Sequence, residues 1–146
     1  MKNSGKVLGV CLSLNRPDPK KNIGSGLLRK DWGLVGDSHA GTEKEVSLLA
    51  EEDVQKFCRE SGIIAKPGSF AENIRTEGIT ISSMACGSIL QIGKAKIKII
   101  QIGKDLSQSH TYNYKGYSLL PTKGVFCKII ESGEVNIGDP VTPIND

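Results

Sequence analysis

Apolar residues along this chain fall in short runs closed by glycine, proline or asparagine, and only one stretch repeats with helical spacing. Val7 to Leu14 reads as a first strand, ended by Asn15-Arg16-Pro17-Asp18-Pro19, where two prolines forbid a regular ladder. Leu27 to Leu34 carries a short strand broken at Gly33, and Val46 to Leu49 reads as a buried strand or a helix entry. The helix begins near Ala50. Glu51, Glu52 and Asp53 load its first turn with negative charge, Val54, Phe57 and Cys58 form one apolar face, and Gly62 is the stop signal. Cys58 on that face is a packing residue. Strand-like segments then return over Asn73 to Ile81, broken at Gly78, over Ile89 to Ile92 and over Ala95 to Ile102, where Lys96 and Lys98 alternate outward. Gly124 to Ile130 supplies another strand and Val141 a last short one. Gln91-Ile92-Gly93-Lys94 recurs as Gln101-Ile102-Gly103-Lys104, and both read as strand-to-turn exits. The pattern predicts a mainly β domain, a closed or nearly closed β-barrel with one or two short helices, since closure removes exposed strand edges.

Composition agrees. The 146 residues suit one domain over 1–146, and 17 glycines and 16 isoleucines against 7 aromatics favour tight turns between β-branched runs. A net charge of +3 is far from the dense basic stripe of a nucleic-acid binder, and no apolar run is long enough for a membrane helix, so neither partner is expected. The N-terminal residues lack a secretory pattern. The four cysteines (Cys11, Cys58, Cys86, Cys127) form no Cys-x-x-Cys pair, which argues against zinc and for a reduced, cytoplasmic setting. Gly87 to Ala95 has the wrong spacing for a phosphate loop and a strand-like interior.

Three stretches can carry chemistry. In Gly33 to Gly41, Asp37 and His39 would share one face of a strand, and a carboxylate beside an imidazole can orient a ligand, move a proton or ligate a metal. The alternative is a turn aspartate accepting backbone hydrogen bonds beside an exposed histidine. In Pro67 to Ile74, Glu72 and Asn73 offer acceptors and an amide donor at a barrel rim, or else a solvated charge and a turn closure. In Gly103 to Pro121, Lys104 is placed to meet an anion, and Tyr112 and Tyr114 fit either stacking on a planar ligand or cross-strand packing.

The ordered set Gly33-x-x-Gly36-Asp37-x-His39-Ala40-Gly41, Val46-Ser47-Leu48-Leu49-Ala50-Glu51 and Pro67-Gly68-Ser69-Phe70-Ala71-Glu72-Asn73-Ile74 resembles the MOSC domain family. Gln101-Ile102-Gly103-Lys104, Leu120-Pro121-Thr122-Lys123-Gly124-Val125-Phe126 and Gly138-Asp139 extend the resemblance from Gly5 to Val141. These are the C-terminal domains of molybdenum cofactor sulfurases and their small stand-alone bacterial relatives. The resemblance implies a β-barrel that binds molybdenum cofactor (molybdopterin) or carries sulfur during cofactor maturation. A pyridoxal-phosphate cysteine desulfurase or a cofactor-synthesis protein is the implied partner, beside the pterin itself. Asp37, His39, Ser47, Glu72 and Asn73 would line the pocket, Lys44 and Lys104 would face anionic groups, and His110 would sit on a closing loop. Asp37 would hold the tautomer of His39, and His39 or His110 would offer nitrogen to molybdenum or hydrogen-bond its oxo groups. Two departures matter. The cysteine that follows the family's Gly-Lys turn is absent, with His110 or a neighbour in its place, and an imidazole carries no sulfane sulfur. Lys44 stands where the family has an arginine, keeping charge but losing bidentate recognition. The expected role is therefore a cofactor-binding or carrier domain without its own persulfide cysteine. The alternative is an enzyme for cofactor sulfuration or for molybdenum-linked reduction of N-hydroxylated compounds.

Overall fold

The computed structural model describes residues 4–15, 19–103 and 113–144. Eleven strands and two α-helices follow one another: β1 (Gly5–Leu12), β2 (Lys21–Asn22), β3 (Ser25–Arg29), β4 (Gly33–Leu34), β5 (Val46–Ala50), α1 (Glu51–Ser61), β6 (Ile74–Glu77), β7 (Ile89–Ile92), β8 (Ala95–Ile102), α2 (Leu120–Lys123), β9 (Val125–Glu131), β10 (Gly133–Asn136) and β11 (Pro140–Ile144), with a short 3₁₀ turn at Ile81–Ser83. Seven strands close a barrel in the order β1-β6-β5-β9-β8-β7-β11, and β11 returns to pair with β1 through Gly5 opposite Val141. Among the described strands only β5 and β6 run parallel, because the helix α1 intervenes and brings the chain back to the same end. Every other pairing is antiparallel.

Period-two alternation decides which side chains fill the barrel. Ala95, Ile97 and Ile99 of β8, Val125, Cys127 and Ile129 of β9, and Val46, Leu48 and Ala50 of β5 point inward and are buried. A second sheet, β10-β3-β4, turns Leu28, Leu34 and Val135 into the same core. On the barrel's outer face a smaller cluster, Leu49, Val54, Phe70, Leu119, Leu120 and Phe126, seats α1 and α2, with Phe57 and Cys58 packed against it. The apolar face expected of the helix is therefore the buried one, and Gly62 caps it in the left-handed conformation at φ 76°. The first strand is shorter than its apolar run, ending at Leu12, and the Leu27–Leu34 segment splits into β3 and β4. No helix among the described residues is long and apolar enough to cross a membrane.

Candidate functional site

Register across four strands builds the site. Val10, Ile74, Leu48 and Val125 form one inward row, since Val10 faces Ile74, Ile74 faces Leu48, and Leu48 faces Val125. The adjoining row therefore points outward: Cys11, Asn73, Ser47 and Phe126. Asn73 is its centre. Its Oδ1 accepts the Ser47 N–H at 2.9 Å and its Nδ2 donates to the Cys11 carbonyl at 3.1 Å. Ser47 Oγ in turn accepts the Asn73 N–H at 3.1 Å. At the far end of the row, Lys44 Nζ stands 4.9 Å from the centre of the Phe126 ring, a cation over an aromatic face.

Asp37 and His39 lie in a turn after β4, not on a strand, so alternation does not relate their side chains. The turn does it instead: Asp37 Oδ2 accepts the His39 N–H at 3.1 Å, while Oδ1 accepts the Ser13 N–H at 3.1 Å. The aspartate accepts backbone hydrogen bonds, as the turn alternative has it, and the same carboxylate also binds a buried lysine. Lys20 Nζ donates to Asp37 Oδ1 at 2.7 Å and to Ser13 Oγ at 3.3 Å, and lies 3.2 Å from His39 Nδ1. The side chains of Lys20 and Asp37 are both buried, whereas a third of the His39 side chain is exposed. Burial by itself pushes the Asp37 carboxyl up, but the Lys20 hydrogen bond and charge, the Ser13 N–H and Asn73 outweigh it and hold Asp37 below the usual carboxylate range.

Glu72 stands apart from this surface. It is fully buried, and its oxygens accept the N–H groups of Gly68 (3.0 Å) and Phe70 (3.1 Å) and the Arg75 Nε at 2.7 Å. Arg75 also donates to Glu51 at 2.6 Å and to the Lys66 carbonyl at 2.9 Å. Glu72 thus shapes the 67–73 loop that presents Asn73, and it offers no oxygen to a pocket. Tyr114 packs edge-on against Phe70 and Tyr117 against Phe57, so cross-element packing, not ligand stacking, occupies these rings. Lys104, His110 and Tyr112 lie outside the described residues.

The structure joins Ser47 and Asn73 in one hydrogen-bonded group and Asp37 and His39 in an adjoining one, and it adds to the second Lys20 and Ser13, which the pattern reading did not single out. Lys20 stands just before a two-residue strand that opens with Lys21, too short to show any periodicity, so no signal marked Lys20 as buried. Arg75 had one: a lone cation between Ile74 and Thr76 inside a strand. An open depression lined by Gly5, Lys6, Glu52, Glu77 and Gly78 lies at the opposite ends of β1 and β6. Its charges serve each other, Lys6 with Glu77 at 3.2 Å and Glu52 with the Gly78 N–H at 2.7 Å.

A seven-strand barrel with a polar row beside a buried Lys-Asp pair defines a small β-barrel domain. The chain belongs to the MOSC domain family, whose family model matches residues 35–142. That family is associated with the molybdenum cofactor. Similar solved structures include the YuaD protein from Bacillus subtilis, at 15% identity and TM-score 0.74 over 94% of each chain. YiiM from Escherichia coli is similar at 21% identity and TM-score 0.63, over 98% of this chain and 70% of that one. YiiM from Geobacillus stearothermophilus matches at 15% identity and TM-score 0.63, over 97% and 73%. At these identities the likeness establishes the fold alone. No curated protein matches the sequence.

Proposed function

We propose that this domain binds molybdenum cofactor, or its metal-free pterin precursor, and carries it during cofactor maturation or sulfur transfer, with no persulfide cysteine of its own at the site. The carrying observation is the donor set of the outward face. Lys44, which has no carboxylate partner among the described residues, stands over Phe126 beside Ser47, and the partly exposed His39 lies in the adjoining Lys20–Asp37 group. Such groups suit hydrogen-bond acceptors, the phosphate, carbonyl and oxo oxygens of a pterin cofactor. Among the described residues no three His, Cys, Asp or Glu side chains gather to hold an ion. Burial, reinforced by Glu72, pushes the nearby Cys11 thiol up to about 12 and keeps it protonated.

The cofactor, when bound, supplies molybdenum redox and sulfur chemistry. The chain's part is to bind and orient: Lys44 neutralises negative charge, His39 meets an acceptor oxygen, and Asn73 with Ser47 fixes the floor between them. Lys104 and His110 belong to this reading through the family resemblance, as an anion contact and a second polar contact. A cysteine desulfurase or cofactor-synthesis protein would supply the sulfur.

The test is an anaerobic titration with molybdenum cofactor and with metal-free molybdopterin, followed by native mass spectrometry. One cofactor per chain is the expected stoichiometry. Lys44→Met and His39→Ala should each weaken binding about tenfold, as loss of one charge-assisted or neutral hydrogen bond does. Failure of the wild-type protein to bind either form overturns the function. Unchanged binding by both variants overturns the location.

A further inference from the structure

We propose that Lys20 is a positioning residue that locks His39 as the Nε2–H tautomer, so that this histidine presents a hydrogen-bond donor, not a metal-ligating lone pair. The argument is one of donors and acceptors. An ammonium has three N–H groups and no lone pair. Lys20 Nζ has three neighbours at hydrogen-bond distance: Asp37 Oδ1 at 2.7 Å, Ser13 Oγ at 3.3 Å and His39 Nδ1 at 3.2 Å. The last contact is favourable only where Nδ1 accepts, which leaves the ring proton on Nε2. The aspartate does not compete. Asp37 Oδ2 is 3.8 Å from Nδ1, beyond hydrogen-bond reach, and already accepts the His39 backbone N–H at 3.1 Å.

The usual pair, in which a carboxylate holds an Nδ1–H, is therefore displaced here by a lysine inserted between the two groups. Lys20 cannot drift from this place. Its side chain is buried, its N–H donates to the Gly68 carbonyl at 3.2 Å, and a side chain on Gly68 would come within 2.1 Å of the Lys20 carbonyl oxygen. Asp37 thus acts on His39 through Lys20, by holding the ammonium. The consequence for recognition is specific. Nε2–H complements a phosphate, carbonyl or oxo oxygen, whereas a metal ion would require that proton to leave first.

The choice of ligand chemistry rests on the proposed function above, but the tautomer does not, so the two fail separately. Long-range proton–nitrogen NMR on the ligand-free protein at pH 8 reads the tautomer directly, with His39→Gln assigning the signals between the two histidines. The expected wild-type pattern is Nδ1 in the lone-pair range and Nε2 in the N–H range. In Lys20→Met the ratio should fall at least about tenfold toward Nδ1–H, the loss of one hydrogen bond from a charged donor. Lys20→Arg, which keeps a cationic donor, should retain the wild-type pattern. Because Lys20→Met strands a buried carboxylate, the same change in an Asp37→Asn background gives a second reading with no unpaired charge. A wild-type Nδ1–H pattern overturns the proposal. So does an Nε2–H pattern that survives loss of Lys20 in both backgrounds.

Discussion

Asp37 shows what one carboxylate does when burial and partners oppose each other. Because its folded value lies below its ordinary 3.8, the stabilisation it brings is complete above about pH 4 and is lost as pH falls through the depressed folded value. Urea midpoints of wild-type protein and Asp37→Asn should differ most above pH 5 and converge on acidification below pH 4. A gap that stays constant across that window assigns the effect to packing instead. Arg75 is the sharper case for stability. Its side chain is wholly buried between Glu72 and Glu51, and Arg75→Met leaves the Glu72 carboxylate buried without its cation, which should cost about 3–5 kcal/mol in chemical unfolding. At this scale the sequence spoke unevenly. Asp37, His39 and Asn73 stood out because glycine-rich turns surround them. Lys20 did not, because a lysine between Pro19 and Lys21 looks solvated, and only tertiary contacts with Ser13 and Asp37 bury it.

Elements with their own period were legible, and elements defined by neighbours were not. The alternation of Ala95, Ile97 and Ile99 with Lys96 and Lys98 marks β8, and the acidic first turn with an apolar stripe marks α1. The Asp37–His39 segment resembles a strand only until its glycines are given their turns. Two glycines separate backbone conformation from crowding. Gly62 caps α1 at φ 76° with nothing near an added Cβ, so Gly62→Ala should lose only about 1 kcal/mol, the cost of the left-handed backbone. Gly68 combines φ 92° with a carbonyl 2.1 Å from where a Cβ would sit. Gly68→Ala must push Lys20 away, so its unfolding midpoint should fall further than that of Gly62→Ala, and its His39 NMR signals should move. Equal losses in the two variants, with His39 unmoved, would show that the 67–73 loop does not hold the Lys20 cluster.

At the level of the whole molecule, barrel closure decides which sulfur atoms can react. Cys127 of β9 faces inward, and Cys11 of β1 points outward but is fully buried; burial raises both thiols above their ordinary range. Cys58 is half-buried against the outer cluster, and Cys86 is exposed before β7. None of these sites joins an accessible thiol to the Asn73–Ser47 row. The pairing that creates this partition is nonlocal: β1 meets β11 across nearly the whole chain, and β5 meets β6 in parallel only through α1. Local patterning predicted closure without saying which strands would close it, since a strand's period carries its buried face and not its partner. Brief iodoacetamide labelling of the native protein, mapped by mass spectrometry, should therefore mark Cys86 first and Cys58 more slowly. Cys11 and Cys127 should react only after unfolding. Native labelling of Cys11 would mean that the barrel opens at the site and would restore direct sulfur transfer as a function. Its protection is the outcome the proposed carrier role requires, in which a partner supplies the sulfur.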